Sequence, residues 1–481
     1  MITFTIALVV LILGYWLYGS YINRVFGPDD RQTPALTKAD GVDYIPLPNW
    51  KIFMIQFLNI AGLGPIFGAI MGAQFGTASY LWIVFGTIFA GAVHDFFSGA
   101  LSIRNGGESL PEIVGRYLGV RTKKVMTIFT MILMILVGAV FVSGPAELIA
   151  GMTPDWMDAY FWIAVIFIYY VLATLLPVDK IIGKVYPLFA FALLFMAVGV
   201  LVMLYVKSPD LPEMWNGFGT KYEANPIFPM MFISIACGAI SGFHATQSPL
   251  MARCMRSERH CRPIFYGAMV AEGAVALIWA AAATYFFHEN GVIDAETGKA
   301  FSGAAVATRI SNEWLGTLGG ILAILGIVAA PITSGDTALR SARLIAADFL
   351  HIDQKPVSKR LLICIPLFLL TIAVLVYSLS DAEGFKIIWR YFAWCNQTLS
   401  VFTLWAITVY LVRHDKNYYI TLLPALLMTL VCSTYICIAP EGLSLPQPIA
   451  YTIGGICTII ALIWFIRWYR KEVREMRMKG E

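Results

Sequence analysis

Thirteen apolar segments dominate the sequence, and each is long enough to cross about 30 Å of hydrocarbon. Only 13% of the residues are charged, about half the fraction found in soluble globular proteins. This pattern predicts an all-α polytopic membrane protein with about 13 transmembrane helices and no nucleic-acid partner. We number the segments as spans 1 to 13; they lie near residues 3–22, 53–75, 79–103, 124–148, 158–177, 185–206, 228–250, 264–287, 316–338, 360–379, 387–412, 418–438 and 449–468.

Lysine and arginine are distributed very unevenly between the two sides of this predicted bundle. Of the 34 Lys and Arg residues, 28 lie in the segments after spans 1, 3, 5, 7, 9, 11 and 13, and five lie in the segments on the other side. Cytoplasmic loops carry the excess of positive charge in membrane proteins. We therefore predict an N-terminus outside and a C-terminus in the cytoplasm.

Spans 2 and 7 are interrupted by polar residues and glycines. Span 2 contains Asn59-Ile-Ala-Gly-Leu-Gly-Pro65, and span 7 contains Ala236-Cys-Gly-Ala-Ile-Ser-Gly-Phe-His-Ala-Thr-Gln-Ser-Pro-Leu250. Broken backbone persists in hydrocarbon only where it lines a cavity or is buried in protein. Glycines also permit close helix packing, but packing leaves Asn59, His244 and Gln247 unexplained.

The two interruptions lie five spans apart, so they fall at matching places in two halves of opposite orientation. Such inverted repeats with broken helices point to a substrate site near the membrane midplane. The arrangement resembles the five-plus-five inverted repeat (LeuT-like) of amino-acid and sodium symporters. The predicted regions are an N-terminal helix with its connector (1–50), the first repeat (51–206), the second repeat (207–413), and two C-terminal helices with a basic tail (414–481).

The residues of the two interruptions are the candidate substrate-binding groups. Their backbone and side chains supply the donors and acceptors that a small polar solute requires. The predicted set comprises Asn59, Gly62, Gly64, Ser241, His244 and Gln247.

Ionisable residues deep inside spans form a second predicted set, with coupling or gating roles. Such residues cost roughly 2.5–3.5 kcal/mol each on insertion scales and are usually functional or paired. His94 and Asp95 in span 3 either bind a proton or tie span 3 to the break in span 2. Glu272 in span 8 has the same two interpretations, and could cap freed backbone N–H groups. Asp336 in span 9 completes the set.

Span 9 also carries a candidate cation site. Thr333 and Ser334 supply hydroxyl oxygens, and Pro331 lacks an N–H and so frees a carbonyl one turn earlier. In the sodium symporters that this fold resembles, an alanine carbonyl and a Thr-Ser pair face the first broken helix. That match implies a Na⁺ site of Ala330, Thr333 and Ser334 opposite Ala61. The alternatives are a coupling H⁺ and hydroxyls that bond only within their own helix.

Several motifs identify a family resemblance. Gly41-Val-Asp-Tyr-Ile-Pro46, Ile60-Ala-Gly-Leu-Gly-Pro65, Gly91-Ala-Val-His-Asp-Phe96, Ser241-Gly-Phe-His-Ala-Thr-Gln247, Phe265-Tyr-Gly-Ala-Met and Ala271-Glu-Gly occur in the order and spacing of the carbon starvation protein A family. The resemblance implies a bacterial inner-membrane carrier, linked to nutrient limitation, for peptides or pyruvate.

Secondary active transport of a small molecule by cation symport is therefore the predicted function, without any cofactor and without enzymatic activity. A channel or facilitator is the main alternative. Ser241 and His244 lie three residues apart and leave an intramembrane hydrolase as a remote one. The solute, the coupling ion, the oligomeric state and any regulatory partner stay open at this stage.

Overall fold

The computed structural model describes residues 1–176, 182–218, 226–294, 300–380 and 384–480, and nearly all of this backbone is helical. The helices of the first part are α1 (Ile2–Phe26), α2 (Pro34–Thr37), α3 (Asn49–Ile60), α4 (Ala69–Gly72), α5 (Thr77–Gly86), α6 (Ala92–Arg104), α7 (Leu110–Leu118), α8 (Val120–Ala150), α9 (Ala159–Leu175) and α10 (Ile182–Lys207). Short π-helical segments, Gly64–Gly68 and Thr87–Gly91, precede α4 and α6.

The second part of the chain is also helical. Its helices are α11 (Ile227–Ser234), α12 (His244–Ala252), α13 (Gly267–Asn290), α14 (Gly303–Leu350), α15 (Val357–Ser380), α16 (Gly384–Arg413), α17 (Tyr419–Ile438) and α18 (Gln447–Gly480). A π-helical turn, Arg262–Tyr266, leads into α13, and α14 bends at Gly316, where the backbone is not helical.

Ten helices in the described residues have the length and hydropathy of a membrane span, and a bent pair adds an eleventh. Span 5 corresponds to α9, whose 17 residues fall just short, and its predicted last residue, 177, lies outside the described residues. Span 7 is divided between α11 and α12. The multi-pass helical architecture is thus confirmed, whereas the count of thirteen stays a prediction.

The predicted break in span 2 is present. The helix stops at Ile60 and resumes at Gly64, and the segments Asn49–Ile60 and Gly64–Phe75 differ in direction by 54°. A Cβ atom on Gly64 would lie 2.2 Å from the Cβ of Cys237. Only a glycine therefore lets this turn approach span 7 so closely.

The predicted break in span 7 is also present, between Ser234 at the end of α11 and His244 at the start of α12. The segment between them contains Cys237, which touches the position of Gly64, so the two breaks face each other inside the bundle. The long helix α14 packs against α8, α10, α9 and α3 and so covers the broken span 2 from one side.

Candidate functional site

The break in span 7 is held by Asn396 of α16. Its Oδ1 accepts hydrogen bonds from the Ser241 hydroxyl at 3.0 Å and from the Phe243 N–H at 2.6 Å, and its carbonyl accepts from the Gly242 N–H at 3.2 Å. These bonds satisfy backbone and side-chain groups that the lost helical turns leave free. Asn396 was missed by sequence reasoning, although an Asn-Gln pair inside apolar span 11 is a visible signal.

Four buried ionisable side chains form a chain across spans 3, 7 and 8. Oδ1 of Asp95 lies 2.8 Å from Nδ1 of His94. Its Oδ2 lies 2.8 Å from Nδ1 of His244. The other ring nitrogen of His244, Nε2, lies 3.5 Å from Oε2 of Glu272. All four side chains have no solvent exposure.

The geometry of this chain restricts where protons reside. A neutral His244 that donates from Nδ1 to Asp95 presents a lone pair at Nε2. One proton between Nε2 and Glu272 therefore gives either an imidazolium with a carboxylate or a neutral imidazole with a carboxylic acid. Neither oxygen of Glu272 has a hydrogen-bond partner among the described residues. Of the three contacts in this chain, the one between His244 and Glu272 is thus the only one that is not a hydrogen bond.

Two of the alternative structural roles are wrong. The carboxylate of Glu272 caps no backbone N–H in the described residues, since neither of its oxygens has a hydrogen-bond partner there. The pair His94 and Asp95 ties span 3 to span 7, through His244, rather than to the break in span 2. The reason is the position of α12, which packs directly along α6.

Two buried amides beside the breaks retain free hydrogen-bonding capacity. Neither side-chain atom of Asn59 has a partner among the described residues. The amide of Gln247 donates to the Thr246 hydroxyl at 2.8 Å, and its oxygen has no such partner. Buried polar groups are nearly always hydrogen-bonded in native proteins. The unpartnered atoms of Asn59 and Gln247 are therefore candidates for contact with a polar ligand.

Of the predicted span 9 residues, Ser334 contacts span 2 beside its break. The Ser334 hydroxyl lies 2.9 Å from the carbonyl oxygen of Leu58 and 3.0 Å from that of Ala330. The Thr333 hydroxyl lies 2.8 Å from the same Ala330 oxygen. Four uncharged oxygens from two helices thus cluster in a buried position. Both hydroxyls therefore bond within span 9, but the Ser334 hydroxyl also contacts the Leu58 carbonyl of span 2.

Asp336 lies one turn beyond these hydroxyls and contacts α10. Tyr186, also fully buried, donates a hydrogen bond to Oδ1 of Asp336 and lies 2.7 Å from the carbonyl of Thr333. Tyr186 was not among the predicted site residues. The aspartate therefore has a polar partner on a second helix and is linked to the hydroxyl cluster through the backbone of Thr333.

The remaining predicted residue pair, Ser241 and His244, has no direct contact of the kind that a nucleophile and base require. Ser241 binds Asn396, and the histidine binds Asp95. The hydrogen bond that joins the two residues is between backbone groups: the His244 N–H donates to the Ser241 carbonyl at 3.2 Å.

Comparison with known proteins places the chain in a family. The family model for "Carbon starvation protein CstA" matches residues 1–154, 155–318 and 289–435, which together cover most of the chain. The chain belongs to the carbon starvation protein CstA family.

Relatives within this family include named transporters. An uncharacterised membrane protein of Haemophilus influenzae is 44% identical over 60% of this chain and 91% of its own length. "Peptide transporter CstA" of Bacillus subtilis is 28% identical over 94% of this chain and 93% of its own. "Pyruvate/proton symporter BtsT" of Escherichia coli is 30% identical over 57% of this chain, which spans only 48% of that longer relative. These names agree with the expectation that the chain is not an enzyme.

Solved structures with the same fold are also transporters. The manganese transporter of Eremococcus coleocola gives a TM-score of 0.56 at 14% identity, over 91% of this chain and 99% of its own. A Na⁺-coupled sialic acid symporter gives 0.51 at 16% identity, over 94% and 96%. At such low identity the likeness concerns the fold alone. It confirms the LeuT-like architecture with broken helices.

Sequence reasoning missed a buried ion cluster in the CstA-family chain. Asp43, in the connector before α3, accepts hydrogen bonds from Arg340 Nη1 at 2.9 Å and from Arg343 Nη2 at 2.9 and 3.0 Å. Burial would raise the pKa of Asp43, but Arg343, Arg340 and Arg253 outweigh it and lower that pKa to about 2. The connector is thereby fastened to the end of α14.

Proposed function

We propose that this chain takes up a small nutrient across the bacterial inner membrane by cation symport, in connection with carbon starvation. The solute is pyruvate or another small carboxylate, or a short peptide. The observation that supports this proposal most directly is the meeting of two broken helices at buried polar groups without partners. Such breaks at matching places in two repeats are the usual location of a substrate site in transporters.

Substrate binding is assigned to the two breaks. His244 opens α12, and the N-terminus of a half-helix favours a negatively charged group. Asn59 and Gln247 have free amide atoms, Gly62 belongs to the first break, and the backbone of Gly64 lies beside the second. Ser241 shapes this surface through its bond to Asn396. A carboxylate is the solute group that the free Asn59 amide N–H and the helix terminus would recognise.

Sodium coupling is proposed at the oxygen cluster between spans 2 and 9. Uncharged oxygens from carbonyls and hydroxyls suit a hard cation, and the cluster combines Ala330, Thr333 and Ser334 with the unwound end of span 2 near Ala61. Binding of Na⁺ there would fasten span 9 to the broken helix that also lines the substrate site. This shared helix gives a physical route for coupling the two ligands.

Proton coupling is the second candidate, and the chain from His94 through Asp95 and His244 to Glu272 supports it. His244 belongs both to this chain and to the proposed substrate site, so its protonation would alter the charge met by an entering carboxylate. Asp336 with Tyr186 is a second buried carboxylate that such a mechanism would use.

Reconstituted vesicles test the proposed function. Uptake of labelled pyruvate and of labelled dipeptides is measured with sodium and proton gradients imposed separately. A carrier accumulates one solute against its gradient and shows trans-stimulation by internal substrate, whereas a channel shows neither. Uptake that follows only the proton gradient would contradict sodium coupling at the oxygen cluster. It would favour proton coupling through the histidine–carboxylate chain.

A further inference from the structure

A groove of about 590 Å³ lies on the outer surface of the bundle, and neither break in spans 2 and 7 contributes to its lining. It is bounded by α1, by the start of α3 and by the turn that leads into α13. Its floor and walls are apolar, and they include Ile12, Trp50, Phe53, Ile264, Val270 and Ala274. Trp50 is 54% exposed, so one edge of the groove opens to the surroundings of the protein. An apolar groove of this volume on the outer surface of membrane-spanning helices can hold an acyl chain.

Cationic groups lie against aromatic residues that line this groove. The Arg262 guanidinium lies over the rings of Tyr15 and Trp16, with its carbon 4.6 and 5.5 Å from their centroids. Lys51 lies 5.6 Å from the ring centroid of Trp50. His260 lines the groove itself. All of these residues belong to the end of the bundle that carries the excess of Lys and Arg.

These groups lack acidic partners. Among the described residues, Arg262 and Lys51 form no ion pair with a carboxylate, and buried Nε of Arg262 and buried Nδ1 of His260 have no hydrogen-bond partner. Other arginines nearby are fully engaged: Arg259 binds Asp30 at 2.6 and 2.7 Å, and Arg104 binds Glu258. Beside the groove, the unpartnered Nε donor therefore belongs to Arg262 and not to these two arginines.

We propose that this groove is a binding site for an anionic phospholipid. One acyl chain occupies the apolar groove, and the phosphate is bound by Arg262, Lys51 and His260. Aromatic side chains such as Tyr15 and Trp50 favour the level of lipid headgroups, and basic pockets between helices on the cytoplasmic side are suited to anionic headgroups. The bound lipid would connect α1 to α3, the helix that ends at the break in span 2. The inference does not depend on which solute is transported.

Native mass spectrometry of the purified protein, with added phosphatidylglycerol or phosphatidylcholine, tests the site. We expect the wild-type chain to retain phosphatidylglycerol in preference to phosphatidylcholine. Arg262→Gln should reduce that preference about 5-fold, the factor for one cation at a membrane surface. Arg259→Gln is the matched control, because its guanidinium already binds Asp30, and it should leave the preference unchanged.

A second variant separates the groove from general surface charge. Ala271→Phe places a ring in the groove while every cation stays in place, and it should reduce lipid retention as Arg262→Gln does. Elution volume on size exclusion confirms that each variant is folded. Equal retention of the two lipids by the wild type, equal effects of Arg262→Gln and Arg259→Gln, or full retention by a folded Ala271→Phe would each overturn the proposal.

Discussion

Two buried carboxylate centres of this protein differ in how completely their charges are matched. Asp43 accepts three hydrogen bonds from two guanidinium groups, so its negative charge is fully compensated. Asp95 and Glu272 have only imidazoles as partners, and Glu272 forms no hydrogen bond within the described residues. The first arrangement holds the connector against α14. The second leaves both oxygens of Glu272 without a hydrogen-bond partner among the described residues, which fits the coupling role proposed for it.

The comparison predicts that Asp43 dominates stability. Asp43→Asn would leave two buried guanidinium groups without a counter-charge, and breaking a buried ion cluster in this way costs about 3–5 kcal/mol. The midpoint of thermal unfolding in detergent should fall markedly. Asp30→Asn, which removes an exposed ion pair from the same connector, should change it little. Equal midpoints for the two variants would contradict the structural role of Asp43.

His244 should instead dominate substrate affinity. His244→Ala removes a donor from a buried site, where a lost hydrogen bond to a charged group costs about 1.5–3 kcal/mol, or roughly a 10- to 150-fold weaker apparent affinity. Gln247→Ala should do less, because a water molecule can replace its amide. Affinity and folded yield are measured on the same preparation. Normal affinity with reduced yield would assign His244 to the scaffold.

Acid should weaken the connector. The pKa of Asp43 is lowered from 3.8 to about 2, so its contribution is complete above about pH 4 and is lost as the pH falls toward 2. The loss amounts to about 2 kcal/mol. Unfolding midpoints measured from pH 6 to pH 3 should therefore fall more steeply for the wild type than for Asp43→Asn. Parallel curves would contradict the lowered pKa.

The oxygen cluster should affect sodium dependence specifically. Thr333→Ala combined with Ser334→Ala removes two neutral oxygens, and we expect about a 10-fold rise in the sodium concentration for half-maximal uptake. Thr337→Ala is the control, because its hydroxyl bonds only to carbonyls of its own helix. An unchanged sodium response in the double variant would show that the coupling cation does not bind at this cluster.

Cysteine labelling locates the two centres relative to the membrane with the least disturbance to function. In a Cys457→Ser background, an impermeant thiol reagent should reach Ser302→Cys from outside and Lys355→Cys only after permeabilisation. Both positions are exposed, and the other seven native cysteines are buried. The opposite result would place the Asp43 cluster outside and reverse the predicted orientation.

The sequence by itself determines the membrane architecture and the positions of the two breaks. Apolar length and the hydrogen-bonding demand of the backbone in lipid are local properties, so runs such as Asn59 to Pro65 reveal a broken helix without any knowledge of its neighbours. The same reasoning identifies His94, Asp95 and Glu272 as candidate functional residues, because an ionisable group deep inside a membrane span is costly whatever its orientation.

Only the tertiary structure decides which partner each polar group has. Asp95 binds His244, 149 positions later in the chain, and Asp43 binds Arg340, 297 positions later. Asn396 holds a break that lies on another helix. A polar residue in an apolar helix must find a partner, but helix packing chooses that partner among many candidates of similar chemistry. Pairing across spans is therefore a property of the assembled bundle and is not encoded in any one segment.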